Sequence, residues 1–353
     1  MEVWMQYLER AAREGASDVF LVPGAPVSYK LEGKLQPMGE VRVMPEQSKT
    51  YIEEIYRLAE RDISDFLASG DDDFSFSVPG LARFRVNVYR QRGSWAAVIR
   101  VVQFSVPDYK ELGIPEQVMA LADRTDGMVL VSGVAGCGKS TTLACLIDRI
   151  NRNRACHIVT LEDPIEYLHR NQKSIVSQRE VAVDTSDYLS ALRSCLRQAP
   201  DVIQLGEMRD LETIRTAMTA AETGHLLLAT LHTRGAVNTI DRIVDAFPAD
   251  QQQQIRIQLS MVLRTVVSQQ LLPGVDGSLV PAFEILQVNS AVRSMIRDSR
   301  NHLIPGAIAA GSSEGMISMD QSILELYRAG RITRETALSY CDNPEQLERR
   351  IDG

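Results

Sequence analysis

The sequence predicts an α/β protein, a mostly parallel sheet faced by helices, preceded by a smaller α+β domain. Three observations carry the prediction. From about residue 127, apolar strand-like runs alternate with amphipathic helical runs, the signature of βαβ units. One of those strand–helix junctions is Gly133-Val134-Ala135-Gly136-Cys137-Gly138-Lys139-Ser140, which meets the phosphate-loop pattern G-x-x-x-x-G-K-[ST] at each fixed position. Before residue 107 the texture differs, with short alternating runs separated by turn residues, as in an antiparallel sheet.

In chain order, Val3, Tyr7, Leu8, Ala11 and Ala12 mark an amphipathic first helix closed by Gly15. Residues 19–22 form a short strand, and 27–31 with 34–38 a hairpin around Glu32-Gly33. Residues 51–58 and 63–67 are helical. Residues 74–78, 83–89 and 95–102 alternate as strands, with Phe84, Val86 and Val88 toward the core and Arg83 and Arg85 facing out. The first domain is therefore expected over 1–106. A Pro- and Gly-bearing linker follows over 107–115, and a second domain over 116–353. In the second domain the expected strands are 128–132, 157–161, 202–205 and 226–231. Helices are expected after the phosphate loop and over 187–198 and 211–221. Beyond residue 235 the chain reads as largely helical, with helices at 251–270, 290–297, 320–328 and 333–340. Gln204 is a polar intrusion in an otherwise apolar strand.

The chemistry gathers around the loop. Glycines let its backbone N–H groups converge on phosphate oxygens, and the new helix points its positive end at the same anion. Gly133, Val134, Ala135, Gly136, Cys137, Gly138, Lys139, Ser140 and Thr141 are thus the expected ATP-binding residues. Lys139 reaches the phosphates and the Ser140 hydroxyl holds Mg²⁺. Two acidic stretches follow buried strands, Thr160-Leu161-Glu162-Asp163-Pro164-Ile165-Glu166 and Gly206-Glu207-Met208-Arg209-Asp210. In open α/β sheets ligands sit beyond the carboxyl ends of the strands, where these acids lie. Glu207 is a candidate for a water-activating or magnesium-linked carboxylate and Glu162 for the same work; the alternative for each is a helix cap or a solvated loop residue. His225 and His232 flank one strand at odd spacing, so they fall on opposite faces and cannot easily share a metal. His232 sits at the strand's carboxyl end, either as a γ-phosphate reporter or as a structural imidazole. The arginines of 83–92 form either a solvated face or an anion site.

Composition narrows the class. A net charge of −8, with no basic groove interleaved with aromatics, argues against a general nucleic-acid binder. No apolar run is long enough to span a bilayer, and the N-terminus does not read as a secretory signal, so a cytoplasmic protein is expected. The five cysteines are scattered without a C-x-x-C pair, which disfavours a disulfide framework or a cysteine-based zinc site.

The ordered set of phosphate loop, E-D-P-x-E, G-E-M-R-D and T-L-H-T resembles the secretion-ATPase superfamily, and more narrowly its type IV pilus retraction branch. Residues 15–18, 84–93, 268–273 and 319–322 fit the same resemblance, which covers nearly the whole chain. Ala291-Val292-Arg293-Ser294-Met295-Ile296-Arg297-Asp298 is similar to the retraction branch's A-I-R-N-L-I-R-E helix. It keeps both arginines and departs most at Ser294. The four-cysteine zinc insertion of the extension and type II secretion relatives has no counterpart here.

The resemblance implies a PAS-like N-terminal domain and a RecA-like P-loop motor domain, assembled as a homohexamer. It implies work at the cytoplasmic face of the inner membrane, peripheral to it, against the pilus platform protein. It also implies that nucleotide lies between the domains, that Glu162 belongs to an acidic box, that Glu207 ends the Walker B strand, and that His232 belongs to a histidine box. Arg85, Arg90 and Arg92 then carry the role of N-terminal-domain arginines approaching the phosphates. A RecA-type nucleic-acid translocase and a slowly hydrolysing scaffold are the alternatives.

Overall fold

The computed structural model describes residues 3–31, 33–102 and 106–352. Glu32 in the expected hairpin turn, the Val3 side chain and residues 103–105 lie outside the described residues. The chain divides into two compact units, residues 1–105 with 165–168, and residues 106–164 with 169–353.

In the first unit six antiparallel strands stand in the order β3-β2-β1-β6-β5-β4. They are β1 Asp18–Leu21, β2 Pro26–Leu31, β3 Lys34–Arg42, β4 Asp71–Val78, β5 Ala82–Gln91 and β6 Ser94–Val102. Alternation decides which side chains are buried. Phe84, Val86 and Val88 of β5 are fully enclosed and Arg85 is exposed. The enclosed face packs on helices Val3–Glu14, Pro45–Leu58 and Ser64–Ser69 through Trp4, Leu8, Ile52, Ile55 and Phe66. The second helix begins six residues before its expected start because Pro45 pre-sets φ at its first turn, where a missing N–H costs nothing.

The second unit is a seven-stranded sheet of order β13-β12-β7-β11-β10-β8-β9. Its strands are β7 Gly127–Ser132, β8 His157–Glu162, β9 Ile175–Glu180, β10 Val202–Leu205, β11 Leu226–Leu231, β12 Leu263–Pro273 and β13 Leu279–Gln287. All neighbouring pairs are parallel except β12 with β13. Central strands covered on both sides are continuous apolar runs, as burial demands. Val129, Val131, Ile158, Val202, Leu226 and Leu228 face the helix Lys139–Asn153 through Leu143, Leu146, Ile147 and Ile150. The alternate residues Met128, Leu130, Val159, Ile203 and Leu227 face helices Tyr188–Cys195, Leu211–Glu222 and Ala236–Asp245. Asp187 and Asp210 cap two of these helices with side-chain oxygens on the N–H of Ser190 and Thr213.

Two expectations are corrected. The helix expected over 251–270 stops at Val262, and the chain continues as β12. Thr265-Val266-Val267 is β-branched, and these residues pair with β7 on one side and β13 on the other. The region after 235 is largely helical as expected, but β12 and β13 interrupt it and complete the sheet. β9, absent from the expected strands, adds an edge beside β8 with only Glu180 fully buried, so its apolar signal is weak. Of the expected linker 107–115, Ile114 is buried, and Tyr109 and Leu112 pack against the same core as the helix Lys139–Asn153.

Candidate active site

The phosphate loop joins β7 to the helix Lys139–Asn153 at the carboxyl edge of the parallel sheet. Gly133 has φ 147°, and a Cβ there would lie 2.4 Å from the Gln269 carbonyl oxygen and 2.5 Å from Cys137 Sγ. Gly138, at φ 90°, has no room either: a Cβ would meet Gln269 Nε2 at 2.8 Å. Both positions need glycine for backbone angle and for space. Gln269 of β12 is therefore the floor of the loop. It is 3% exposed, and its Oε1 accepts from Thr142 Oγ1 at 2.8 Å, which ties the first turn of the helix to the neighbouring strand. Val134, Ala135 and Gly136 form the exposed crest, and Cys137 is buried, which pushes its thiol pKa up. Ser140 is exposed and Thr141 half-buried at the helix N-terminus, where unpaired N–H groups favour an anion.

Lys139 is 7% exposed and its Nζ donates to the carbonyls of Gly133 and Val134, both at 2.9 Å. The same Nζ lies 3.4 Å from His232 Nδ1, and His232 Nε2 lies 3.4 Å from Glu207 Oε2. A neutral imidazole with its proton on Nε2 satisfies both neighbours, accepting toward the ammonium and donating toward the carboxylate. Arg209 Nε donates to the same Glu207 oxygen at 2.7 Å, a charge-assisted bond that raises the arginine's pKa further. The structure thus brings Lys139, His232 and Glu207 into one chain of contacts. His225, on the opposite face, is used locally, its Nδ1 against the Ala220 carbonyl at 2.9 Å.

Glu162 ends β8 on the face that carries the phosphate-loop helix, and is 8% exposed. Its Oε1 accepts from Thr160 Oγ1 at 2.6 Å and from Gln178 Nε2 at 3.1 Å. Next to it the half-buried Tyr188 lies so close to Gly206 that a Cβ on the glycine would sit 2.5 Å from its hydroxyl. Burial, and then the charges of Asp163, Glu207 and Glu162, hold the Tyr188 phenol above its ordinary pKa. Sequence reasoning misses Gln269, Arg209, Gln178 and Tyr188 as site residues. Arg209 is within its reach, standing two residues from Glu207; the others lie on elements distant in sequence.

The arginines of the first unit have distinct settings. Arg85 is exposed on β5. Arg90 donates to the Leu67 carbonyl at 2.9 Å and lies 5.5 Å from the Phe66 ring centroid, so part of its capacity serves its own unit. Arg92, at φ 49°, and Gly93 form the two-residue turn between β5 and β6.

A glycine cradle that a Cβ would fill, an enclosed lysine at the head of a helix, and carboxylates on adjacent strand tips define a P-loop nucleotide-binding protein. The chain belongs to the Type II/IV secretion system protein family, which it matches over residues 1–302. It is 43% identical, over 97% of its length and 99% of the relative's, to the type IV pilus retraction ATPase PilT of Pseudomonas aeruginosa. A twitching motility protein of Neisseria gonorrhoeae is 47% identical over 78% of this chain and 74% of its own. The crystal structure of the pilus retraction motor PilT with bound ADP superposes with a TM-score of 0.88 at 43% identity, covering 99% of both chains.

Proposed function

We propose that this chain is the ATP-hydrolysing subunit of a homohexameric motor that retracts type IV pili, acting on the platform protein at the cytoplasmic face of the inner membrane. The observation that carries the ATPase reading is the contact chain Lys139–His232–Glu207 beside the phosphate loop. The likeness to pilus retraction ATPases supports the biological role.

In this reading the loop amides and Lys139 grip the β- and γ-phosphates. Among the described residues no group of three or more His, Cys, Asp or Glu gathers to hold a metal. The donors that remain, the Ser140 hydroxyl and Glu207 directly or through water, suit a magnesium ion whose other ligands are phosphate oxygens and water. When bound, the ion neutralises phosphate charge. Glu162 and Glu207 order and deprotonate the attacking water, and His232 couples Glu207 to the lysine that senses the phosphate. Arg85, Arg90 and Arg92 supply guanidinium groups to the phosphates on domain closure, which turns hydrolysis into movement.

Glu207→Gln keeps the shape and removes the charge. The expected result is ATP binding close to wild type, with turnover down by a factor of about 10²–10⁴. Unchanged turnover removes Glu207 from its role. In cells lacking the protein, complementation with Lys139→Ala should leave hyperpiliated, non-moving cells, whereas bald cells would reassign the motor to pilus assembly.

A further inference from the structure

β9 lies parallel to β8 with Thr160 opposite Gln178 and Glu162 opposite Glu180. Register partners on parallel strands share a face, so Thr160, Glu162 and Gln178 stand together on the side of the phosphate-loop helix. The amide of a glutamine has two orientations with opposite hydrogen-bonding character. Here the backbone N–H of His169 donates to Gln178 Oε1 at 2.8 Å. That bond decides the orientation, because an N–H cannot face the amide's own NH₂. The Nε2 is thereby turned to Glu162 Oε1, 3.1 Å away. Thr160 Oγ1 donates to the same oxygen at 2.6 Å. A carboxylate this enclosed must be held by donors to keep its charge. Two donors from two strands, meeting on one oxygen, also set the plane in which the carboxylate lies.

We infer that Gln178 is a positioning residue for ATP hydrolysis: locked by the His169 backbone, it works with Thr160 to hold Glu162 in the orientation that the reaction uses. The inference rests on the proposed role of Glu162. In this inference Gln178 acts through the carboxylate. Its effect therefore belongs to kcat rather than to nucleotide affinity, and it vanishes when the carboxylate is gone.

The test uses the full-length protein. ATP turnover, KM and thermal midpoint are measured for Gln178→Leu, Thr160→Val and Glu162→Gln, and for each of the first two combined with Glu162→Gln. Gln178→Leu and Thr160→Val should each lower kcat about tenfold, as expected for losing a hydrogen bond to a charged group, with KM within about twofold of wild type. Added to Glu162→Gln, neither should lower turnover further. A further tenfold loss in that background would mean a structural role for Gln178 and would overturn the inference. So would unchanged kcat in Gln178→Leu alongside a crippled Glu162→Gln. If Glu162→Gln itself turns over normally, the assigned role of Glu162 fails and this inference falls with it. Should Gln178→Leu not fold, Gln178→Met takes its place in the same comparisons, since it removes the amide at similar length and volume.

Discussion

Gln269→Leu tests whether the phosphate loop is held from below. The substitution keeps nearly the same volume in a 3% exposed position and removes only the amide. Thr142, fully buried, then loses its 2.8 Å acceptor. A buried hydroxyl left unpaired costs about 1–3 kcal/mol. Thr142 can rotate its hydroxyl back to the Gly138 carbonyl one turn earlier, as helical threonines do, so the lower part of that range applies, about 1–2 kcal/mol. For a folding unit of this size each kcal/mol moves the thermal midpoint by about 2–4 °C, giving a drop of about 2–8 °C. If nucleotide binds only to the ordered loop, the same energy weakens affinity by a factor of about 5–30. Differential scanning calorimetry and fluorescent-nucleotide titration measure the two effects. The partner substitution sharpens the test. Thr142→Val on top of Gln269→Leu replaces both polar groups with apolar ones, and should recover at least half of the lost stability. A Gln269→Leu protein with wild-type midpoint and affinity, or a double variant worse than the sum of the single ones, would refute the support role.

Two further outcomes concern buried groups that the site does not use. Burial lowers the pKa of the His169 imidazole to about 4 from the ordinary 6.5 or so, and its Nδ1 is enclosed without a hydrogen-bond partner among the described residues. The unfolded chain therefore binds the extra proton between those values. The contribution of His169 is flat above about pH 7, falls as pH drops below 6.5, and at pH 5 should be lower by about 2 kcal/mol; His169→Gln should remove that part of the pH 7 to pH 5 loss in denaturant titrations. Gln204, 5% exposed on β10, buries an Oε1 with no hydrogen-bond partner among the described residues, so Gln204→Leu should raise stability by about 1 kcal/mol, read as a higher urea midpoint at unchanged slope.

The phosphate loop and the four central strands are legible in the amino-acid sequence because they are written in local patterns, where composition and period agree. Glu162, Glu207 and His232 fall at the sheet's carboxyl edge on the same reasoning, because parallel strands put their tips there. What escapes a reading of the sequence is set by partners far along the chain. β12 reads as helix because residues 251–270 carry good helix formers up to Val262, and nothing local marks the change. It is a strand because β7 leaves an edge to be paired on one side and β13 on the other. With β12 misread, Gln269 is lost as the floor of the loop. β9 escapes for a related reason: Ile175 is exposed at the sheet's edge, so the face pattern is blurred, and with it goes Gln178.

The parallel sheet also explains why these polar residues sit where they do. On the face toward the phosphate-loop helix, Ile158, Val202, Leu226 and Leu228 are buried apolar residues. Two positions further along their strands the same face carries Thr160, Gln204 and Thr230, and two beyond that Glu162, Gly206 and His232. Strand period fixes the face, and distance from the core fixes the polarity: Thr160 and Gln204 are level with Leu228 of β11, so β11 turns polar one step later, at Thr230 and His232. Gly206 is the exception that lets the others meet, since its missing side chain makes room for the Tyr188 hydroxyl, and its carbonyl accepts from Thr230 Oγ1. The chain then turns, and Glu207 comes within 3.4 Å of His232 from the neighbouring strand. A side chain at 206 would meet the Tyr188 hydroxyl and crowd the backbone of Leu161 and Glu162 at the tip of β8. The glycine before Glu207 is thus as much a condition of the site as the glycines that cradle the phosphate.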